Sequence, residues 1–310
     1  MKNFLTICTV SGLALGPVKA AELNIVTDIA PVGALVSQIT GHEVTVLVEP
    51  GQSPHDASLK PSMARALQDA DVVIWMGEAM APGLLKPIGE LASDASVLEL
   101  LDIEGIDYLE FREEATFEVE DAHDEHNDEA EHDEHHHHEG VDPHAWLSHS
   151  IVASWAVEIA EHLSAVDPSA AEQYTALGTS LAANTMTAQA EFQVTIGTAG
   201  TESRPLVAMH DAFQYLETAF DLKVVAALTD GDGSAPSAAR MAAVDAAVEE
   251  NAPLCLISDQ AETGGANLRM ANALGLKLVP LDILGARQPQ GPDLYAAMMK
   301  QIAVDLKDCL

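Results

Sequence analysis

The segment PSAAEQYTALGTSLAANTMTAQAEFQVTIG, residues 168–197, separates two halves of the sequence that have similar patterns. It is rich in alanine and other good helix formers, with Pro168 placed for a first helical turn and Gly197 placed to end the helix. A helix of about thirty residues covers on the order of 45 Å, which is more than one small domain needs. We therefore expect residues 166–198 to form one long helix that connects two lobes.

On both sides of this helix, short runs rich in β-formers alternate with longer helical patterns. Strands are expected at 22–27, 43–48, 72–76 and 96–100 in the first half and at 205–210, 223–228, 253–258 and 277–281 in the second. Helices are expected at 31–40, 61–70, 82–92, 149–165, 211–220, 235–250, 265–274 and 292–306. Such alternation predicts an α/β fold in which each lobe is a roughly four-stranded, mostly parallel sheet flanked by helices. The lobes are expected at 21–165 and 199–310.

The N-terminus has the pattern of an export signal. Lys2 supplies a positive start, residues 4–15 are apolar, and Val18-Lys19-Ala20 is a small-residue cleavage site. The apolar run is too short for a stable transmembrane helix. We expect residues 1–20 to be a signal peptide and the mature chain to be a soluble periplasmic protein.

The formal charge of −35 excludes several classes of function. Removal of Lys2 and Lys19 with the signal peptide makes it −37. A field of this sign repels nucleic acids and anionic lipids and attracts cations. No nucleic-acid partner and no membrane-surface role is therefore expected.

Two cysteines, Cys255 and Cys309, remain in the mature chain. In an oxidising compartment the simplest interpretation is a disulfide. It would tie an expected strand to the C-terminus. The alternative, a thiolate metal site, would need both sulfurs reduced.

Residues 113–140, EEATFEVEDAHDEHNDEAEHDEHHHHEG, contain thirteen Asp or Glu, seven His and no Lys or Arg. Almost nothing in this run can be buried, so we expect a disordered loop. A solvated acidic loop is the plainer interpretation, but imidazoles and carboxylates are also ligands of divalent cations. We expect weak, exchanging metal sites at the loop histidines His123, His126, His132, His135, His136, His137 and His138.

Three further histidines stand out by their positions in the chain. His55 lies in a turn after the second expected strand, His144 follows the acidic loop, and His210 ends the first strand of the second half. Ligands of open α/β sheets bind beyond the carboxyl ends of the strands, so a cleft between lobes could unite two histidines of the first lobe with one of the second. Asp282, after the last strand, is a candidate fourth ligand.

Taken singly, each of these residues is weak evidence, because a lone histidine is more often a hydrogen-bonded loop residue than a ligand. Neighbouring carboxylates are expected as helix N-caps or as acceptors that orient an imidazole, namely Asp56, Asp142 and Asp211. Three histidines on or beside helices are expected to have no role in a site, namely His42, His149 and His162.

Four motifs, in this order and spacing, carry a specific resemblance: GQSPHD at 51–56, DPHAW at 142–146 after the His-rich loop, MHDAF at 209–213 and LDILG at 281–285. Over essentially the whole mature chain, the sequence resembles the zinc-specific solute-binding proteins of bacterial ABC importers. They form part of the cluster A-I metal-binding family, which also includes manganese and iron binders. The resemblance implies two α/β lobes joined by one long helix.

The resemblance also implies the ligands. His55, His144 and His210 would be the primary ones. The fourth position varies in the family among water, a Glu beside the first histidine, and an Asp that matches Asp282. Here Pro54 precedes His55, which leaves water or Asp282. A disulfide that matches Cys255 and Cys309 is implied as well.

Ligand chemistry favours zinc over manganese. Three imidazoles and at most one carboxylate suit tetrahedral Zn²⁺, whereas manganese sites favour more oxygen. The similar manganese binders carry Glu where this chain has His210. Cu²⁺ and Ni²⁺ would also bind the isolated protein, because the order of affinities does not exclude them.

The expected function is high-affinity capture of periplasmic Zn²⁺ in an interlobe cleft and its delivery to the membrane permease of an ABC importer. The His-rich loop would collect zinc at the cleft mouth. The chain is expected to be a monomer, and the sequence leaves open whether a separate zinc chaperone supplies the ion. The alternatives are a zinc-buffering or adhesive surface protein and a zinc-dependent hydrolase. A hydrolase is disfavoured because the sequence has no His-Glu-x-x-His helix and no obvious general base.

Overall fold

The computed structural model describes residues 23–112, 114–117, 140–197, 204–229, 236–259 and 265–310. The expected signal peptide, residues 1–20, and all seven loop histidines lie outside these ranges. In the described part of the chain, no helix combines the length and the apolar character that crossing a membrane requires.

The first lobe is a four-stranded parallel sheet in the order β2-β1-β3-β4. Its strands are β1 (Ile25–Thr27), β2 (Thr45–Val46), β3 (Val72–Trp75) and β4 (Ser96–Glu99). Its helices are α1 (Ala30–Thr40), α2 (Pro61–Gln68), α3 (Pro82–Leu91) and α4 (His149–Val166). The central strands β1 and β3 are buried on both faces, as their continuous apolar runs require.

The second lobe repeats this arrangement, with a parallel sheet in the order β6-β5-β7-β8. Its strands are β5 (Leu206–His210), β6 (Val224–Thr229), β7 (Cys255–Asp259) and β8 (Lys277–Leu281). Its helices are α6 (Gln214–Phe220), α7 (Ala238–Asn251), α8 (Gly265–Leu274) and α9 (Leu294–Leu306). The expected α/β fold with two four-stranded parallel sheets is confirmed.

The long helix predicted between the halves is α5 (Ala171–Ile196), which spans roughly 39 Å. It packs against α1 and α4 of the first lobe and α9 of the second. Its first turn differs from the prediction. The Asp167 carboxylate accepts hydrogen bonds from the backbone and hydroxyl of Ser169, so Pro168 lies in a turn before the helix. The lobe boundaries, 21–165, 166–198 and 199–310, stay a prediction.

Cys255 and Cys309 form a disulfide with an S–S distance of 2.06 Å, as the sequence predicted. Both residues are buried. The bond joins β7 to the C-terminal end of the chain, and neither sulfur is available as a thiolate ligand.

Candidate metal site

His55 lies in a tight turn after the second strand of the first lobe. The Pro54 side chain is buried against the protein. The Pro54 carbonyl accepts a hydrogen bond from the Ala57 amide at 3.1 Å, which closes the turn around His55. His55 itself is half-buried, and Asp56 is exposed. Asp56 is not an N-cap, because the following helix α2 is capped at Lys60. The expectation of an N-cap at Asp56 was wrong, and its alternative role in orienting an imidazole stays a prediction.

His144 is buried and held by Asp142. One oxygen of the Asp142 carboxylate accepts both the His144 amide, at 3.0 Å, and the His144 ring nitrogen Nδ1, at 2.7 Å. In its ionised form the Asp142 carboxylate can only accept, so Nδ1 then carries the proton and Nε2 is left for a cation. The other oxygen accepts from Gln214 at 2.9 Å. The sequence-based expectation that Asp142 orients an imidazole is confirmed.

Burial sets the electrostatics of this pair. It raises the pKa of Asp142 to about 7, while the hydrogen bond from His144 and the charge of Arg112 act in the opposite direction. A bound cation beside His144 would add a further positive charge that favours the ionised carboxylate.

The segment that carries His144 is hydrogen-bonded to the second lobe. The Tyr215 hydroxyl donates to the Asp142 carbonyl at 3.0 Å. The Trp146 indole donates to the Ile283 carbonyl at 2.7 Å, and the Tyr295 hydroxyl donates to the Trp146 carbonyl at 3.0 Å. His144 therefore precedes the long helix in sequence, but the three hydrogen bonds around it go to residues that follow that helix.

His210 is the last residue of β5 and is buried. Asp211, the next residue, does not cap a helix, so that part of the expectation was wrong, and its alternative role in orienting an imidazole stays a prediction. Its carboxylate accepts two hydrogen bonds from Arg112, and α6 begins at Gln214 with no side-chain cap.

The three histidines converge. The ring centroids are 5.5 Å apart for His55 and His144, 6.5 Å for His55 and His210, and 5.4 Å for His144 and His210. One ligand nitrogen from each ring lies within 4.8 Å of the other two. Tetrahedral Zn²⁺ with Zn–N bonds of about 2.0–2.1 Å needs nitrogens about 3.3 Å apart, so a small inward movement of the rings would complete the site.

Asp282 lies outside this three-imidazole group. It is buried, and its two oxygens accept the backbone amides of Ala286 and Arg287, each at 2.7 Å. Each oxygen keeps a lone pair after accepting one hydrogen bond. Its role as a fourth ligand stays a prediction.

The histidines that were given no role lie elsewhere. His42 contacts the Glu43 carbonyl, and His162 contacts the Ser96 hydroxyl. His149 is fully buried, and neither of its ring nitrogens has a hydrogen-bond partner among the described residues. Its ring makes edge contacts with Phe192 and Phe220.

Sequence reasoning missed Arg112, Gln214 and Tyr215. Arg112 had a signal, because it is the only Lys or Arg in residues 87–203. A single cation in a long acidic region is a candidate for a buried ion pair. Gln214 and Tyr215 follow the MHDAF motif in sequence, but no local pattern connects them with Asp142.

The chain matches one family of known proteins over nearly its whole length. The profile of the family described as ZnuA, zinc-uptake complex component A, periplasmic, matches residues 25–309. The high-affinity zinc uptake system protein ZnuA of Paracoccus denitrificans is 33% identical, over 99% of this chain and 97% of its own length.

Solved structures have the same fold. A deletion mutant of ZnuA with zinc bound gives a TM-score of 0.73 at 20% identity, over 93% of this chain and 97% of that one. The solute-binding protein FpvC of Pseudomonas aeruginosa in complex with Mn²⁺ gives 0.76 at 20% identity, over 93% and 98%.

Proposed function

The chain belongs to the ZnuA family of periplasmic zinc-uptake components, and we propose that it captures Zn²⁺ with His55, His144 and His210 and delivers the ion to the permease of an ABC importer. In this proposal zinc is cargo, and the protein is a carrier rather than an enzyme.

The observation that carries the proposal is the meeting of three imidazoles from three separate segments, with ligand atoms within 4.8 Å of one another. Such a nitrogen-rich set favours Zn²⁺ over Mn²⁺, which prefers oxygen ligands. The Asp142 carboxylate fixes the tautomer of His144, which is the usual way in which a protein prepares a histidine for zinc.

The fourth position is proposed for Asp282 or water. Asp282 follows the last residue of β8, Leu281, and both of its oxygens already hold backbone amides of the next turn. A carboxylate fixed in this way would bind zinc without losing those hydrogen bonds, through the lone pairs that remain.

The His-rich loop is proposed to collect zinc for this site. Its composition supports the idea, with thirteen carboxylates and seven imidazoles in 28 residues, 113–140. The negative field of the whole chain would also concentrate cations near the protein. Periplasmic export through a cleaved signal peptide at residues 1–20, a monomeric state, and delivery with or without a separate chaperone belong to the same proposal.

The test is a zinc titration in competition with a chelator of known affinity. Three variants are compared with wild type: His55→Ala, a variant in which a short Gly/Ser linker replaces residues 118–139, and His42→Ala as a histidine control. We expect His55→Ala to lose the tight site, and the loop variant to keep it while binding fewer ions in total. His42→Ala should match wild type.

The opposite pattern would refute the proposal. If the loop variant lost nearly all binding while His55→Ala kept it, the protein would be a loop-based zinc buffer.

A further inference from the structure

A strap formed by residues 109–117, of which residue 113 is not described, crosses from the first lobe to the second. The Phe117 amide donates to the Val225 carbonyl at 2.9 Å, and the Ala227 amide donates to the Ala115 carbonyl at 3.1 Å. Together with an antiparallel bridge between Thr116 and Ala226, these bonds place the strap along the outer edge of β6.

The start of the strap is joined to the His144 segment. The Asp142 amide donates to the Leu109 carbonyl at 2.7 Å, and the Leu109 amide donates to the Tyr215 hydroxyl at 3.0 Å. Gln214, which holds the Asp142 carboxylate, also donates to the Glu110 carbonyl. The strap therefore runs past the metal site on its way to β6.

Arg112 extends from the strap to two carboxylates beside the site. Its Nε donates to Asp211 at 2.8 Å, and its Nη2 donates to the other Asp211 oxygen. Its Nη1 and Nη2 donate to the two oxygens of Glu217 at 3.2 and 2.7 Å. The guanidinium also lies 3.5 Å from the ring centroid of Phe117, within the same strap.

These contacts are more buried than a surface ion pair. The side chain of Arg112 is 22% exposed, that of Asp211 is 2% exposed, and that of Glu217 is 14% exposed. Bidentate guanidinium–carboxylate pairs fix geometry as well as charge, and removing one partner of a buried pair leaves an uncompensated charge. Asp211 and Glu217 would therefore not keep their positions without Arg112.

Asp211 is the residue that directly follows His210. Its carboxylate is fixed by Arg112, and its amide donates to the Thr229 carbonyl at 3.2 Å, so both ends of the residue are fixed. The peptide that carries His210 is thereby fixed on its C-terminal side. We propose that Arg112 is a positioning residue for zinc binding, which holds His210 in register with His144 through its ion pair with Asp211.

This inference rests on the proposed zinc site. It differs from the known type of support for a zinc ligand, because the Arg112 guanidinium donates its hydrogen bonds to Asp211 and Glu217 and would act on His210 through the neighbouring residue. It also differs from simple attachment of the strap, which Arg240 provides as well by donating to the Glu114 and Ala227 carbonyls at 3.3 and 3.0 Å. Arg240 is therefore a matched control.

The experiment compares Arg112→Met, Arg112→Lys and Arg240→Met in the mature protein. Zinc affinity is measured by chelator competition, and site geometry by the visible absorption of bound Co²⁺. We expect Arg112→Met to lose about 10–100-fold in zinc affinity and to change the cobalt spectrum, as changes outside the direct ligands typically do. Arg112→Lys should restore part of the affinity, because a lysine keeps the charge but lacks the fork. Arg240→Met should stay within about threefold of wild type and keep its spectrum, because it leaves the Asp211 pair intact.

Asp211→Asn tests the same contact if Arg112→Met does not fold. It keeps the shape of the side chain, and it should weaken zinc binding in the same direction. The double variant Arg112→Met/Asp211→Asn should lose no more zinc affinity than the single variant that binds zinc more weakly, because both changes remove the same interaction.

Two results would overturn the inference. One is wild-type affinity and an unchanged cobalt spectrum in Arg112→Met or Asp211→Asn. The other is an equal loss in Arg112→Met and Arg240→Met, which would assign the effect to the strap as a whole. Loss of binding in His55→Ala is independent of either result, so the site and its positioning residue fail separately.

Discussion

The two sides of the metal site are built differently. His144 and His210 are buried. The His144 segment is hydrogen-bonded to Gln214 and Tyr215 of the second lobe, and His210 ends β5 of that lobe. His55 is half-buried and lies in a turn whose next residue, Asp56, is exposed. Among the described residues, one side is a prepared pair of imidazoles and the other is a single imidazole on a surface turn.

This difference suggests an order of events. Because the His144 and His210 side is already fixed by hydrogen bonds, it costs little to bring these two rings to an ion. The turn that carries His55 is more exposed and can complete the coordination last. If the ion is delivered to a permease as proposed, release would then begin with His55, since it is the most exposed of the three proposed ligands.

The largest predicted effect is on the ligands themselves. A zinc site is worth about 10–16 kcal/mol, so removal of one ligand of four should cost about 3–4 kcal/mol, or roughly 10²–10³-fold in affinity. We expect His55→Ala to lose this much, and His144→Ala or His210→Ala to lose more, because each breaks the prepared pair. Chelator competition measures the three affinities. Equal losses would show that the two sides do not differ.

Acid should lower the stability of the whole fold through His149. Burial lowers the pKa of His149 to about 4. The unfolded chain, with a histidine pKa near 6.5, binds a proton that the folded protein does not, so this contribution to stability is complete above pH 6.5 and falls as the pH drops toward 4. Between pH 6.5 and pH 4 the unfolding free energy should fall by about 3 kcal/mol through this residue.

The measurement is denaturant unfolding of wild type and His149→Leu between pH 7 and pH 4. Asp28 and Asp142 have pKa values raised by burial to about 6 and about 7, so their contribution has the opposite sign and is lost as the pH rises. Comparing the two proteins at each pH cancels these carboxylates. The unfolding free energy of His149→Leu should rise relative to that of wild type as the pH falls. A difference between the two proteins that does not change with pH would contradict the prediction.

A smaller effect is expected when the carboxylate behind His144 is neutralised. Asp142→Asn keeps the shape but weakens the acceptor of the Nδ1 proton, which should lower zinc affinity by about 10–100-fold. Asp56→Asn, on the exposed turn, is the control and should bind like wild type. A similar loss in both variants would mean that charge alone, rather than the hydrogen bond to His144, sets the affinity.

The smallest predicted effect concerns the turn that carries His55. Pro54→Ala leaves His55 in place but frees the turn before binding, at a cost of about 0.4–1 kcal/mol, or roughly two- to five-fold in affinity. Stopped-flow release of zinc to a chelator should be faster by the same factor. Pro168→Ala, in the exposed turn before α5, should change neither quantity, and an equal change there would rule out a local effect at His55.

Much of the architecture could be predicted because it depends on local pattern. The apolar runs of β1 and β3, the helix end at Gly41 and the alanine-rich stretch of α5 each specify their structure within a few residues. The position of His210 at the end of a buried strand follows from the same reasoning. The prediction placed Pro168 in the first turn of the helix. Instead, the Asp167 carboxylate accepts a hydrogen bond from the Ser169 amide, which forms a turn before the helix. The composition of the segment does not distinguish these two conformations.

The support of the site could not be predicted in this way. The contact between Arg112 and Asp211 joins residues 99 positions apart, and the bond between Trp146 and Ile283 joins residues 137 apart. Neither pair has a periodicity or a turn signal in common. Such contacts depend on how the two lobes pack against each other. No short segment of the sequence carries a pattern that predicts this packing.

The strap has a consequence for how the chain reaches its native state. Residues 109–117 follow the last strand of the first lobe in sequence, but their hydrogen-bonding partners on β6, 225–227, are synthesised only after α5. A lobe that needs a later strand cannot close as an independent folding unit, although domains generally fold in order from the N-terminus. Translation through β6 is therefore the point at which His144 and His210 first become neighbours, and a chain truncated before β6 should lack the tight three-histidine site and keep only the weak binding of the His-rich loop.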